Sequence, residues 1–486
     1  MDYIKEKRTT YSCWEAENEI KSSLYKVNLN DNNSDFGGIP LFTDSESVYV
    51  EHRDSHSLII GSTGSKKTRL VGMPALQMYA ISGESFIATD PKGELYKKTY
   101  KILKTYDYRI LLINLRDPLR SNLWNPLKIP YLQYHNGHKD KAKELIIDLA
   151  GCIAKEGYAN DPYWENSAAD LLAGLVFIMI ENAKEHEMHF KSLRALRNQA
   201  FKMVNKEDTY IQDKFLKYLD KSSFLCSLLS GTVDVADTTR SCILSVFDQT
   251  MSPFFSQDNL INMLSGNDID MSEIGKEKTA VFLIIPDENT LYNKLISLFI
   301  KQCYSELLRE AEKHPNNKLP RRVNFLLDEF ANLPTINDFP AMITASRSRN
   351  IRFNLFIQGQ NQLYARYRSH AETIMANCNN WVFLHSHEYE LMEKLVNLAG
   401  TKHNNEPLIS ITMLQTLDKD KGEAYILHGR KHPFIANLLD IDKYPNVLQE
   451  EENVQYPKNN RKVSSFFNFE DFCEENEMKN IFKRRN

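Results

Sequence analysis

The stretch Ser57-Leu58-Ile59-Ile60-Gly61-Ser62-Thr63-Gly64-Ser65-Lys66-Lys67-Thr68, continuing into Arg69-Leu70-Val71-Gly72-Met73-Pro74-Ala75-Leu76, constrains this chain more than any other. It reads as a short apolar strand, a loop of small residues and a helix start. That is the setting in which the spacing G-x-x-x-x-G-K-[ST] has physical meaning. In such a loop the backbone N–H groups of Gly61, Ser62, Thr63, Gly64 and Ser65 point inward around phosphates. Lys67 reaches the outer phosphates of ATP and the Thr68 hydroxyl ligates Mg²⁺. One position departs from the pattern, because Lys66 stands where glycine is expected. Glycine suits that position because the backbone turns there close to the phosphates. Three readings stay open: an ammonium turned outward and tolerated, a loop that binds nucleotide weakly or not at all, or a substitution introduced on purpose.

A second half of the site is written in Val323-Asn324-Phe325-Leu326-Leu327-Asp328-Glu329-Phe330, an apolar strand ending in two carboxylates. Asp328 suits the metal and Glu329 suits polarising an attacking water. A further apolar strand, Arg352 to Gln358, ends in an amide that would face the same phosphates, in a sensing or water-positioning role. Just before it, Ser346-Arg347-Ser348-Arg349-Asn350-Ile351-Arg352 gathers three arginines. They are either a solvated basic face or the source of an arginine acting on a neighbouring subunit's γ-phosphate.

The rest of the chain fits around these strands. Short apolar runs at Ser57–Gly61, Ser85–Asp90, Arg109–Leu115, Thr279–Pro286, Val323–Asp328, Arg352–Gln358, Asn380–Ser386 and Gly422–Gly429 alternate with amphipathic stretches. Continuous apolar runs of this length fit strands covered on both faces, hence an α/β core with a mostly parallel sheet. Residues 140–260 show helical periodicity and almost no strand signal, which predicts an all-α insertion. The expected division is an amino-terminal arm over 1–45, a core over 46–139 and 261–447, the insertion over 140–260, and an acidic, aromatic tail over 448–486. That tail, with Glu450-Glu451-Glu452 and Phe466, Phe467, Phe469 and Phe472, reads as a frayed end with one short helix or as a partner-binding segment. The longest apolar run, Leu171 to Ile180, is too short to span a bilayer and is expected as a buried helix. With no signal-peptide pattern and seven scattered cysteines, a soluble protein of a reducing compartment is expected. A net charge of -4 means that any contact with DNA must be local.

The ordered motifs carry a family resemblance. Gly61 to Ser65 before Lys67-Thr68, then Thr89-Asp90-Pro91-Lys92-Gly93-Glu94-Leu95, then Trp124-Asn125-Pro126-Leu127 resemble the opening motifs of the type IV secretion coupling proteins, the conjugative DNA-transfer ATPases. The likeness continues through Pro162-Tyr163-Trp164-Glu165-Asn166, Ile285-Pro286-Asp287, Leu327 to Leu333, Arg347 to Arg352, Gln358 to Leu363 and Asn377-Cys378, covering about residues 37 to 445. The resemblance implies a RecA/FtsK-like P-loop NTPase core, a hexameric ring with ATP and Mg²⁺ between subunits, and single- or double-stranded DNA passing through or near the channel. It makes Lys67 and Thr68 the phosphate-binding pair, Asp328 and Glu329 the metal and catalytic carboxylates, Gln358 the sensor and Arg347 the arginine finger. The insertion would face a relaxase, a relaxosome or secretion-channel proteins. Typical members carry an amino-terminal membrane hairpin that this sequence lacks, so the expected location is cytoplasmic, with a partner drawing the chain to the inner face of the bacterial membrane. An adaptor that keeps the fold and binds DNA or relaxosome proteins without turnover is the alternative that Lys66 motivates. A DNA motor serving another task, such as defence against foreign DNA, is a third.

Two weaker signals are noted. His385-Ser386-His387 and the pair His186 and His189 have spacings that can bind metal, but neither has a third ligand nearby in sequence, so non-metal roles are expected. Tyr364-Ala365-Arg366-Tyr367-Arg368 interleaves aromatics with arginines, as a base-stacking surface does, or as the exposed half of an amphipathic helix does.

Overall fold

The computed structural model describes residues 11–155, 162–205, 208–286, 292–336, 338–445 and 454–485, with side chains to 477. Asp287 and Glu450-Glu451-Glu452 lie outside them. The chain divides into two compact units. The first comprises residues 1–112, 271–287 and 302–455, and the second 113–270, 288–301 and 456–486.

The first unit is built on two sheets. Strands β1 (Tyr25–Asn28), β2 (Pro40–Thr43) and β3 (Ser47–Val50) form a small antiparallel sheet in the order β1-β3-β2. The large sheet uses β4 (His56–Gly61), β5 (Ser85–Thr89), β6 (Arg109–Asn114), β7 (Thr279–Ile284), β8 (Val323–Leu327), β9 (Ile351–Ile357), β10 (Cys378–His385), β11 (Glu423–His428) and β12 (Phe434–Asn437). Their spatial order is β12-β11-β10-β4-β9-β8-β5-β7-β6. From β10 to β7 the neighbours run parallel, and β11 and β12 add on antiparallel at one edge. Every residue of β4, β5, β7, β8 and β9 is buried, as continuous apolar runs require of strands covered on both faces. All eight apolar runs of the sequence become strands. The last departs from a parallel reading because β10 and β11 pair antiparallel.

The order has a direct consequence for the site. β9 lies between β4 and β8, with Ile60 opposite Ile357 and Leu327 opposite Leu355. The residues following all three strands therefore emerge at one carboxyl edge, the usual place for ligands in an open α/β sheet.

Arg352 is neither a solvated arginine nor one available to a neighbour. It is buried on β9, where it donates to Asn324 Oδ1 (2.8 Å), the Glu51 carbonyl (2.8 Å), the Gly37 carbonyl (3.2 Å) and the buried carboxylate of Glu84. The guanidinium fork thus ties β9 to β8 and to the segment leading out of the small sheet. Tyr367 likewise leaves the aromatic and arginine stretch for the core, where it stacks on Phe330 at 5.6 Å.

In the second unit, helices Lys139–Ala154, Tyr163–Asn182, Phe190–Ala200, Phe224–Val233 and Asp237–Ser256 pack together. The run Leu171–Ile180 lies wholly buried inside the second of these. Among the described residues no helix is long and apolar enough to cross a membrane. A frayed carboxyl-terminal segment is not what the structure contains. Ser192 Oγ accepts from the Phe467 N–H (2.9 Å), Gln199 Oε1 accepts from the Phe469 N–H (2.7 Å), and both phenylalanines are buried. His189 caps the helix that follows it, accepting from the Ser192 N–H, and its Nε2 bonds the Ser465 carbonyl at 3.0 Å.

Without Arg352 the buried Glu84 keeps only the more distant guanidinium of Arg322, at 3.5 Å, and its charge is under-compensated. Arg352→Ala should therefore cost about 3–5 kcal/mol in urea unfolding, with part of the loss recovered by adding Glu84→Gln. Equal midpoints for wild type and Arg352→Ala would exclude this role.

Candidate nucleotide-binding site

The loop after β4 has the conformation that its glycines anticipate. Gly64 takes φ 81°. At Gly61 a Cβ would fall 2.3 Å from Ser65 Oγ and 2.8 Å from Lys67 Cγ, so nothing larger fits. A wide turn over Thr68–Gly72 leads into helix Met73–Ser82, in which the nine residues Met73 to Ile81 are all buried. The phosphate loop is thus anchored at both ends in the core.

Lys66 takes φ 64°, the left-handed conformation that makes glycine the usual choice. Its ammonium lies 2.8 Å from Asp420 Oδ1 and 4.0 Å from Asp440 Oδ2. Left-handed backbone costs a side-chain-bearing residue roughly 1–2 kcal/mol. An exposed ion pair returns about 0.2–1 kcal/mol, so it offsets only part of that cost. Next along, Arg69 is held by Asp440 through both carboxylate oxygens, at 2.7 and 3.2 Å, and by Asp442. Neither acidic turn had a signal in the sequence, since each lies hundreds of residues from the loop it braces.

Lys67 is buried, donates to the Gly61 carbonyl, and sits 3.6 Å from Glu329 Oε1. Thr68 Oγ1 lies 3.5 Å from Asp328 Oδ2. Glu329 holds φ 51°, a left-handed value, as it turns out of β8. Its Oε2 accepts from Gln358 Nε2 at 2.9 Å, and Gln358 Oε1 lies 3.5 Å from Thr63 Oγ1. Gly61 to Ser65, Lys67, Thr68, Asp328, Glu329 and Gln358 are therefore brought together. All except Gly61 and Gln358 line one cavity of about 530 Å³.

Arg347 is not among them. It sits in the short turn that precedes β9, with Nε donating to the Asp54 carbonyl at 3.0 Å. At about 3.3 Å per residue, β9 alone separates it from Gln358 by roughly 20 Å. The histidine pair at 385 and 387 is committed elsewhere: His385 Nδ1 bonds Ser62 Oγ at 2.9 Å and the two rings meet edge to face.

Asp90 also lines the cavity, a placement the motif Thr89–Leu95 signals without stating a role. Its Oδ2 accepts from the Tyr96 N–H at 2.8 Å, and Thr89 Oγ1 donates to the Asp328 carbonyl at 2.9 Å. Burial pushes the carboxyls of both Asp90 and Asp328 up to about 6; for Asp328 the charge of Glu329 adds to burial, and the Lys67 ammonium opposes both. Lys66, Lys67, Lys92 and Arg69 line the same cavity, so basic groups that suit phosphates face these carboxyls.

Comparison with known proteins shows the family and the fold. A family model described as Type IV secretory system Conjugative DNA transfer matches residues 3–423. The chain belongs to that family. The type IV secretion system-coupling protein VirD4 of Bartonella quintana (strain Toulouse) is 23% identical over 335 residues, 67% of this chain and 49% of the relative, so the chain spans about half the length of that protein. Among solved structures, plasmid coupling protein TrwB in complex with the non-hydrolysable ATP analogue ADPNP superposes with TM-score 0.65 at 14% identity, covering 93% of this chain and 97% of that one. TrwB in complex with ADP and Mg²⁺ gives TM-score 0.64 at 14% identity, over the same shares. At such identities these likenesses establish the fold.

The raised Asp328 carboxyl carries a sign that can be measured. A carboxyl whose folded value lies above its unfolded 3.8 loses stability as pH rises from about 4 through about 6. Asp328→Asn should therefore unfold like wild type at pH 4 and be more stable by about 2 kcal/mol at pH 7 without nucleotide. Chemical denaturation at the two pH values checks this.

Proposed function

We propose that this chain is the motor ATPase of a conjugative coupling complex. In this reading it binds ATP and Mg²⁺, hydrolyses the nucleotide between neighbouring copies in a ring of six, and uses the cycle to drive DNA or a relaxase–DNA conjugate toward a secretion channel. The observation that carries it is the convergence of Lys67, Thr68, Asp328 and Glu329 on one cavity in a member of this family, with Gln358 bonded to Glu329 behind them. VirD4 is named a secretion-system coupling protein, and TrwB is described with an ATP analogue and with ADP and Mg²⁺.

The residues divide the work as follows. The N–H groups of residues 61–65 hold phosphate, and Thr68 with Asp328 holds the metal. Bound Mg²⁺ supplies a Lewis acid that neutralises charge on the phosphate oxygens. Lys67, once turned to a γ-phosphate, releases Glu329 Oε1, which accepts the proton of the attacking water. Gln358 fixes the other carboxylate oxygen of Glu329. Arg347, far from its own loop, completes a neighbour's site, as an arginine supplied in trans does. Attachment at the inner face of a bacterial membrane through a partner belongs to the same proposal.

Lys66 gives the adaptor reading its support, since a lysine in left-handed backbone strains the loop. Its ion pair with Asp420 supports a loop that is formed and competent.

DNA-stimulated ATP hydrolysis is expected, with near-total loss in Lys67→Ala and Glu329→Gln. Arg347→Ala should lose on the order of 10³ in turnover. A wild-type rate for Arg347→Ala excludes it as the trans arginine. The Lys66→Gly protein should bind and hydrolyse ATP at least as well as the native one. Activity present only in Lys66→Gly decides for the adaptor.

A further inference from the structure

The turn that follows β10 touches both sides of the site. At its start the His385 carbonyl accepts from the Ser62 N–H at 2.9 Å, and the His385 ring bonds the Ser62 hydroxyl. At its end, Glu388 reaches across to the strand on the other side of β4. Its Oε2 accepts from the Gln360 N–H at 2.8 Å, and both carboxylate oxygens lie 3.3 Å from the Asn361 N. These are the opening amides of helix Gln360–Tyr367, two residues beyond Gln358. A carboxylate is the favoured partner for such amides, because it satisfies donors that have no carbonyl within the helix and complements the helix dipole.

Gly359 shows how tightly this contact is built. Its φ is -168°, an extended value open to any residue, so backbone freedom does not explain it. A Cβ there would fall 2.1 Å from Glu388 Oε1 and 2.4 Å from its Cδ. A methyl group there would push aside the flexible end of Glu388, because the carboxylate occupies the space that a side chain would take.

We infer that Glu388 is a positioning residue: by capping helix Gln360–Tyr367 it fixes the Gln358-Gly359 turn so that the Gln358 amide meets Glu329 at 2.9 Å. The inference deepens the proposed ATPase and rests on it for its kinetic part alone. Glu388 is not in the cavity, so it acts through Gln358 and leaves phosphate binding to the loop after β4. The turn after β10 therefore sets both the phosphate loop, through Ser62, and the amide that orients the base.

Three proteins test this: Glu388→Ala, Gly359→Ala, which should expel the carboxylate without touching it covalently, and Gln358→Ala. Hydrogen exchange on the full chain should show faster exchange over residues 358–364 in the first two, whatever the enzyme's activity. Turnover should fall roughly ten- to a hundredfold in both, with KM and the Kd for an ATP analogue within about twofold of wild type. Adding Glu388→Ala to Gln358→Ala should change kcat by less than about twofold, because coupled residues are not additive. Unchanged exchange in Glu388→Ala overturns the inference, as does a full kcat loss in the double variant relative to Gln358→Ala. Faster exchange in both variants with a wild-type rate in Gln358→Ala supports the positioning and overturns the proposed role of Gln358 in hydrolysis.

Discussion

The parallel pairing of β4, β9 and β8 sets the edge at which the candidate site forms. With Ile60 opposite Ile357 and Leu327 opposite Leu355, the phosphate loop, the amide of Gln358 and the carboxylates of Asp328 and Glu329 leave the sheet at one edge. Lys67, Glu329 and Gln358 then meet without reaching across the sheet. Much of what holds this pairing is apolar, but Arg352 adds a buried polar tie from β9 to Asn324 on β8 and to Glu84 just before β5. A buried ion pair is a weak source of net stability, yet it is costly to break, which makes it a strong discriminator of register.

The site carries unfavourable terms alongside favourable ones. Glu329 and Lys66 both hold left-handed backbone, and Asp90 and Asp328 are carboxyls displaced upward by burial. Such costs concentrate where a ligand relieves them. A divalent cation between Thr68 and Asp328 would relieve the carboxyls, and phosphates would give Lys67 a better partner than the Gly61 carbonyl. The acidic turns at Asp420 and Asp440 differ in kind. They brace Lys66 and Arg69 from outside the cradle.

The sheet was legible because apolar runs of strand length recur between amphipathic stretches, and the loop after β4 because its spacing is dictated by the geometry of a phosphate cradle. Residues that act at the carboxyl edge announced themselves by ending an apolar run, as Asp328 and Gln358 do. What stayed hidden depends on partners distant in the chain. Arg352 looks from its neighbours like a surface arginine, and only the fold brings Glu84 to it. Lys66 has a partner in Asp420 that nothing near it in the sequence announces. Glu388 lies in an unremarkable stretch, and its value comes from the helix that starts across β4. The aromatic segment near residue 467 resembles a loose end because its covering helix is encoded some 270 residues earlier.

That last contact has a consequence for how the protein is made. The second unit gathers residues 113–270, 288–301 and 456–486, and Phe467 and Phe469 are core residues of it. On the ribosome, those phenylalanines are added after every strand of the first unit has been synthesised. Helix Phe190–Ala200 must therefore wait, with part of its apolar surface open, while β7 to β12 are synthesised. Sequence separations of that size slow folding, and open apolar surface invites association in the meantime. The helical unit thus closes its core only once the last strand of the sheet has been made.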